Sequence, residues 1–278
     1  MSRPGGDDKK GPERVRREGA ARRFKATVEY DGTEFAGFQL QPKARTVQGE
    51  LEAALARLSG GIRQPVVGAG RTDAGVHATG QVIAFAYPGS LSVEALTEAL
   101  NGTLPPDVAV RDLRRAPAGF NPRYAARYRE YRYSIWNGPR SPLRERTALW
   151  VRQDLDASAM ARAATAFEGS HDFSAFGGAD PQPVRTVHRL RVRRDGPLVT
   201  IDVRADAFLR GMVRRMVAAL LAVGKGQLDA SAVPGLLSGG VPALGGAAAP
   251  ARGLCLRRVA LGPRQERDAT AHDAGHED

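Results

Sequence analysis

The sequence predicts an α+β protein with two similar halves, each a mixed, mainly antiparallel sheet with helices on one face, and with a central cleft. Stretches in which apolar and polar residues alternate indicate strands, and apolar residues at every third or fourth position indicate helices. In the first half these stretches follow the order strand, helix, strand, strand, helix, strand. A similar order recurs in the second half, as in split α/β folds of the ferredoxin type.

In the first half, the element boundaries come from caps and turns. Phe24–Tyr30 alternates with period two and ends at a turn, which indicates a strand. Thr46 is suited to cap a helix that Gly60-Gly61 stops, and Ser92 is suited to cap a second, short helix. The other strands of this half are predicted at 66–67, 81–87 and 108–113.

The second half contains the most apolar run of the chain, Met216–Val223, which is far shorter than the roughly 20 residues that a membrane-spanning helix needs. This run belongs to a predicted helix from Phe208 to Val223, and a second helix is predicted from Ala157 to Phe167. A hairpin is expected around Asp195-Gly196. The strands of this half are predicted at 128–136, 187–193, 199–203 and 254–259.

The charge of the chain is +11 over 278 residues, and it is distributed unevenly. Residues 1–23 carry +4 and residues 263–278 carry −3, and both segments are poor in apolar residues, so we expect a disordered basic tail and a disordered acidic tail. The body between them carries +10 and divides into an N-terminal half, 24–122, and a C-terminal half, 123–262. A basic body attracts polyanions, and nucleic acid is the leading candidate.

The cysteine content and the N-terminus indicate the compartment. The single cysteine, Cys255, excludes an internal disulfide and a zinc site built from several cysteines, so a reducing, cytoplasmic setting is expected. The N-terminal residues lack the apolar segment of a signal peptide. Neither a secreted nor a membrane protein is therefore predicted.

The segment with the most unusual composition is 68–81, which contains four glycines between two predicted strands. Glycines let the backbone adopt positive φ and let a ligand approach closely. Asp73 lies near the middle, and Arg71 places a positive charge close to its carboxylate. An ionised carboxylate in a cleft can act as a nucleophile or stabilise a cationic sugar. The same residues are also compatible with an ordinary tight loop in which Asp73 forms a turn.

The residues alone leave two other classes of protein open. A non-catalytic RNA-binding protein would explain the charge and the repeated halves, but its typical aromatic motifs are absent and the Asp73 segment would have no purpose. A nucleotide-dependent enzyme would use the glycines for phosphate, but neither the dinucleotide spacing nor the phosphate-binding lysine motif is present. The histidines show no paired metal-ligand spacing.

One long motif favours a specific family. The segment 70–78, GRTDAGVHA, followed by Gly80-Gln81-Val82, resembles the signature of the tRNA pseudouridine synthase A family. Shorter motifs match in the same order between about Phe24 and about Leu261. They are Tyr30-Asp31-Gly32-Thr33, Gly37-Phe38-Gln39, Val47 to Leu51, Tyr131-Arg132-Tyr133, Phe208-Leu209 and Met212-Val213-Arg214.

The resemblance implies an isomerase that converts uridine to pseudouridine in the anticodon stem-loop of tRNA, at nucleotides 38, 39 and 40. It implies Asp73 as the catalytic carboxylate, which either attacks the ribose or stabilises a sugar cation or glycal. The reaction involves no redox step and no net hydrolysis, so no cofactor and no metal are expected. The implied partners are tRNA and a second copy of the chain in a homodimer, with no nucleotide cofactor and no membrane.

The resemblance also implies roles for three substrate-binding residues. Tyr131 is expected to stack on the extruded uracil; Tyr133 competes for this role because it faces the same way in a strand. Arg71 and Arg214 are the candidate partners of the Asp73 carboxylate. Arg214 would reach it from the second half, and Arg71 is also expected to contact phosphate or assist base flipping.

Overall fold

The computed structural model of the chain describes residues 22–239 and 248–262. The predicted acidic tail, 263–278, lies outside the described residues, and so does the predicted basic tail as far as residue 21. Arg22 and Arg23, which the sequence assigned to that tail, belong instead to the first strand. They pair with Tyr87 and Ala86 of a neighbouring strand, so the folded body begins earlier than predicted.

The strands and α-helices of the described chain follow one another in nearly the predicted order. The strands are β1 (Arg22–Tyr30), β2 (Val67–Gly68), β3 (His77–Tyr87), β4 (Val108–Arg115), β5 (Ala126–Trp136), β6 (Leu149–Trp150), β7 (Gly169–Asp172), β8 (Val184–Asp195), β9 (Leu198–Ala205) and β10 (Leu254–Leu261). The helices are α1 (Val47–Leu58), α2 (Val93–Thr103), α3 (Pro122–Ala125), α4 (Ala157–Ala164), α5 (Met212–Gly224) and α6 (Val233–Gly239). Of these, β6, β7, α3 and α6 were not predicted.

One mixed, mostly antiparallel sheet runs through both halves, so the predicted α+β class is confirmed. Its strands follow the order β4-β1-β3-β10-β5-β9-β8-β7, with β2 paired to β3 and β6 paired to β5. When the four main strands of each half are numbered in chain order, each half shows the order 4-1-3-2: β4-β1-β3-β2 in the first and β10-β5-β9-β8 in the second. The two halves are therefore repeats of one topology.

Helices cover one face of the sheet, and the opposite face is open in the second half, whereas β3 is buried on both faces. In β1 and β9 every second residue is buried, the pattern expected when helices cover one face of a sheet. On the covered face, α4 packs against α5 and β8. On the open face, β5, β8, β9 and β10 form a groove of about 340 Å³ that is rich in arginine. Its charged residues are Glu130, Asp202, Arg132, Arg189, Arg191, Arg193, Arg204, Arg257 and Arg258.

Two predicted starts are wrong by four residues each. β3 begins at His77 rather than at Gln81, because its first residues pair with β1 on one side and with β10 on the other. The long helix begins at Met212 rather than at Phe208, because Gly211 adopts the left-handed conformation with φ 72° and interrupts helical geometry. Phe208 therefore lies in the connection between β9 and α5.

None of the helices in the described ranges is long and apolar enough to span a membrane.

The two halves are joined where β3 and β10 pair in parallel, with His77 opposite Cys255 and Ala78 opposite Leu256. Gly80 follows directly and leaves no space for a side chain. A Cβ added there would lie 2.2 Å from the Arg257 carbonyl oxygen of β10. Because that neighbour is main chain rather than a flexible side chain, a substitution would push the halves apart.

We expect Gly80→Ala to lower the free energy of unfolding by about 2 kcal/mol or more, as overpacking in a rigid interior does. Gly102→Ala in α2 is the control, because an added Cβ there meets nothing within 4 Å. That exchange should raise stability by about 0.5–1 kcal/mol, since alanine favours a helix over glycine. Chemical denaturation measures both changes, and a Gly80→Ala protein as stable as wild type would contradict the proposed close contact.

Candidate active site

Asp73 lies on a loop of residues 69–76, here called the Asp73 loop, which connects β2 to β3. The start of this loop is fixed by two side chains from the sheet. Arg129 of β5 donates from Nη2 to the Ala69 carbonyl at 2.7 Å, and Gln81 of β3 donates from Nε2 to the next carbonyl at 2.9 Å. The loop therefore leaves the sheet in a defined direction.

The residue before Asp73 is fixed as well. The Thr72 hydroxyl is 2.8 Å from the Tyr30 hydroxyl in a buried hydrogen bond, and the Thr72 carbonyl accepts from the Phe38 N–H at 3.1 Å. Gly37 has φ 104°, and a Cβ added to it would lie 2.8 Å from the Thr72 carbonyl oxygen. Glycine at this position therefore lets the first-half loops pack directly against the segment that carries the carboxylate.

The partner of the Asp73 carboxylate comes from the other half of the molecule. Arg214 lies in the first turn of α5, and its Nη1 is 3.5 Å from Asp73 Oδ2. Its Nε donates to the Ala249 carbonyl at 2.6 Å, which fixes the direction of the guanidinium. The side chains are partly exposed, 30% for Asp73 and 23% for Arg214, so the ion pair is accessible from solvent.

Tyr131 of β5 is the third member of this group. Its ring is nearly buried and meets the Phe208 ring edge-on, with 5.2 Å between the centroids. Burial raises the pKa of Tyr131 to about 12; the positive charge of Arg129 opposes this rise and the negative charge of Asp73 adds to it. The hydroxyl is therefore neutral at physiological pH, and the ring lies within electrostatic range of the Asp73 carboxylate.

Tyr133, the competing candidate, occupies a different environment. It is completely buried, and its hydroxyl donates to the Pro250 carbonyl at 2.9 Å. A Cβ added to Gly253 would lie 2.6 Å from its ring, so the main chain just before β10 packs closely against it. Burial raises the pKa of Tyr133 as well. These contacts are those of a core residue, and they leave Tyr131 as the tyrosine beside Asp73.

Arg71 does not join this group. Its side chain is exposed on the Asp73 loop, and within the described residues it forms no ion pair with Asp73. The structure therefore brings together Asp73, Arg214 and Tyr131, and leaves Arg71 exposed on the same loop. An arginine in this position is free to meet a ligand that approaches the carboxylate.

Two neighbours of the site were missed by the sequence analysis. Phe208 was predicted to lie within a helix, whereas it packs on Tyr131 from the connection before α5. Arg129 shares a face of β5 with Tyr131 because the two are two residues apart in a strand. That spacing was a usable signal, but arginines also occur at 123, 127 and 132, so the spacing alone did not single out Arg129.

The arrangement suits a ligand that contains both a planar ring and a sugar. Tyr131 offers an aromatic surface for the ring, and Asp73 offers a carboxylate for an electrophilic sugar carbon. Arg214 places a positive charge beside that carboxylate. Across residues 22–239 and 248–262, no three His, Cys, Asp or Glu side chains are grouped so that they could hold a metal ion.

Known proteins resemble this chain in both halves. Residues 26–125 and 163–260 match a family model described as tRNA pseudouridine synthase. The chain is 44% identical over 244 residues to tRNA pseudouridine synthase A of Geotalea uraniireducens, across 86% of this chain and 99% of that relative. It is 46% identical over 243 residues to tRNA pseudouridine synthase A of Moorella thermoacetica, across 85% of this chain and 98% of that relative.

A weaker similarity is found among solved structures. The crystal structure of the archaeal box H/ACA sRNP Nop10-Cbf5 complex aligns with a TM-score of 0.33 and 14% identity, over 86% of this chain and 49% of that chain. The sequence matches are much stronger, and the family model spans Asp73 and Arg214. On the strength of those sequence matches, the chain belongs to the tRNA pseudouridine synthase family.

Proposed function

We propose that this protein converts uridine to pseudouridine at nucleotides 38, 39 and 40 of the tRNA anticodon stem-loop, with Asp73 as the nucleophile. Family membership makes the protein an isomerase that acts on tRNA. The motif resemblance supports the three nucleotides. The observation that carries the assignment of Asp73 is its ion pair with Arg214, at 3.5 Å, because each half of the molecule supplies one partner.

The proposed reaction conserves every atom of the substrate. A carboxylate oxygen of Asp73 attacks C1′ of the ribose, and the glycosidic N1–C1′ bond breaks with its electron pair leaving on the uracil. The uracil turns, C5 forms a bond to C1′, and Asp73 leaves as a carboxylate. C5 then loses its proton and N1 gains one. Since nothing is oxidised, reduced or hydrolysed overall, the reaction requires no cofactor.

The neighbouring side chains have distinct roles in this scheme. Tyr131 stacks on the uracil while the base is detached, and Phe208 holds the ring of Tyr131 from its edge. Arg214 stabilises the carboxylate of Asp73 before attack and after release. Arg71, exposed on the same loop, contacts a phosphate or assists extrusion of the nucleotide.

Binding of tRNA must supply the energy that opens the stem. Taking a base out of its stack costs a few kcal/mol. The net charge of +10 on residues 24–262 favours binding of the phosphate backbone, and contacts to phosphates release counterions. We therefore expect tRNA affinity to fall steeply as the salt concentration rises.

The test is to map pseudouridine in tRNA incubated with the purified protein and no added cofactor. The substrate should carry uridines at 38, 39 and 40 and at many other positions, and the matched control should carry cytidines at those three. We expect pseudouridine at the three positions of the first tRNA and none in the second. Modification elsewhere would overturn the assignment of nucleotides, and no pseudouridine at all would overturn the function.

We also propose that the protein acts as a homodimer in the cytoplasm. The support for the dimer is the family resemblance, and the support for the location is the proposed substrate together with the single, unpaired cysteine, Cys255. Sedimentation at micromolar concentration is expected to give about twice the chain mass of 29.7 kDa. A fully active monomer would contradict this proposal.

A further inference from the structure

Arg129 is a half-buried arginine whose hydrogen-bond acceptors are main-chain carbonyls. In the described part of the chain, no carboxylate lies within ion-pair distance of its guanidinium. Withdrawing a cation from water without an ion-paired carboxylate costs free energy, and burial lowers the pKa of Arg129 although the more distant charge of Asp206 opposes this shift. An apolar side chain would avoid that cost but would leave the Ala69 and Asp206 carbonyls without these donors. We therefore expect the arginine at position 129 to do more than fill space.

The guanidinium bridges the two halves of the molecule. From Nη2 it donates to the carbonyl of Ala69, the first residue of the Asp73 loop, at 2.7 Å. From Nη1 it donates to the carbonyl of Asp206, directly after β9, also at 2.7 Å. A longer contact, 3.4 Å, reaches the carbonyl of Arg123. One rigid planar group thus sets the separation between a first-half and a second-half segment.

Both segments lead to the candidate active site. The first continues from Ala69 to Asp73. The second continues from Asp206 to Phe208, whose ring holds Tyr131, and then to Arg214 at the start of α5. A shift of either segment would therefore change how the carboxylate, its arginine partner and the aromatic ring face one another. Displacements of about 1 Å in such groups are enough to lower rates about a hundredfold.

We propose that Arg129 is a positioning residue for pseudouridine formation: it holds the Asp73 loop and the connection between β9 and α5 at the separation that aligns Asp73, Arg214 and Tyr131 on one nucleotide. This proposal rests on the proposed function. It requires the fork shape of the guanidinium as well as its charge, because the two carbonyls are reached from two different nitrogen atoms.

The test compares Arg129→Lys and Arg129→Met with Arg22→Lys. Arg22 is the matched control, because it is also half-buried and donates to two carbonyls, those of Gly89 and Leu91. It lies beside Tyr87 at the end of β3, whereas the Asp73 loop leads into the start of that strand. Steady-state kinetics on an anticodon stem-loop substrate give kcat and KM, and thermal denaturation gives Tm.

We expect kcat to fall about ten- to a hundredfold in both Arg129 variants, with KM changed less than about threefold. Arg22→Lys should lower Tm and leave kcat unchanged. Normal kcat in Arg129→Lys would show that charge alone is needed and would overturn the proposal. A raised KM with normal kcat would indicate tRNA binding, and a lowered Tm with normal kcat a purely structural role; either result would overturn it.

The conservative variant keeps the test decisive if Arg129→Met does not fold, because lysine keeps the charge and the aliphatic stem. In that case a normal kcat in Arg129→Lys overturns the proposal, and a lowered kcat at unchanged KM supports it. The wild-type protein separates the two hypotheses. If wild type makes no pseudouridine, the proposed function fails and the role of Arg129 fails with it; if wild type is active, only the variants decide.

Discussion

Asp73→Asn is expected to lower pseudouridine formation by at least about a thousandfold, which corresponds to about 4 kcal/mol of transition-state stabilisation. The exchange keeps the shape of the side chain and removes its negative charge, so that no nucleophile remains to attack C1′. Binding of tRNA should survive, because RNA affinity comes largely from phosphate contacts. Single-turnover assays measure the chemical step, and filter binding measures the affinity.

Asp202→Asn is the matched control for this experiment. The Asp202 side chain is 31% exposed, against 30% for Asp73, and it also pairs with an arginine, Arg132, at 2.7 and 3.0 Å. Losing such a partly exposed pair should cost about 1 kcal/mol or less and leave turnover intact. Near-normal turnover in Asp73→Asn would contradict the role of Asp73 as nucleophile. An equal loss of turnover in both variants would show that the loss comes from damage to the fold rather than from the missing carboxylate.

Local signals explain why most elements of the fold could be predicted. Thr46 accepts a hydrogen bond from the Gly49 N–H, and Ser92 accepts one from the Ala95 N–H, so both predicted helix caps are confirmed. These contacts are made by residues three positions apart, and the information is therefore present in a short stretch of sequence. The alternation that predicted β1 likewise reflects burial on one face.

The features that were not predicted depend on contacts between distant segments. The early start of β3 requires β10, which follows about 180 residues later and runs beside Gly80. The late start of α5 depends on a left-handed Gly211, and a helical pattern that begins at Phe208 does not reveal it. Short segments such as β6 and β7 carry too few residues to show a period.

The residues of the candidate site likewise divide into those with a local sequence signal and those that depend on contacts between distant segments. Asp73 stands out because the motif around it is long and specific, but its role as nucleophile stays a prediction until the variant is measured. The pairing of Asp73 with Arg214 joins residues 141 positions apart, and only a family resemblance could suggest it. No role for Arg129 could be predicted from the sequence, because its role depends on the two main-chain carbonyls that the fold places beside its guanidinium.

Tyr131→Leu is expected to lower turnover roughly ten- to a hundredfold. Stacking between a base and an aromatic ring is worth about 1–3 kcal/mol, and about 1.4 kcal/mol corresponds to a tenfold change in rate. Tyr131→Phe keeps the ring and its edge contact with Phe208 and removes only the hydroxyl. Single-turnover rates and tRNA affinities of both variants measure the two contributions separately.

The phenylalanine variant decides what the hydroxyl does. If stacking is the whole role, Tyr131→Phe stays within about threefold of wild type. If the hydroxyl takes part in moving the proton from C5, the rate falls while tRNA affinity is unchanged. With a pKa of about 12, the hydroxyl of Tyr131 would take part in its neutral form. The rate should therefore show no dependence on ionisation of this tyrosine between pH 6 and 9.

The same pair of exchanges at Tyr133 provides the control. Tyr133 is completely buried and bonded to the Pro250 carbonyl, so Tyr133→Leu leaves a cavity and an unpaired acceptor. Its unfolding free energy should fall by about 2–4 kcal/mol, with turnover of the folded fraction little changed. Normal turnover in Tyr131→Leu together with lost turnover in a folded Tyr133→Leu would move the stacking role to Tyr133. The uracil would then have to bind within the core that β10 now fills.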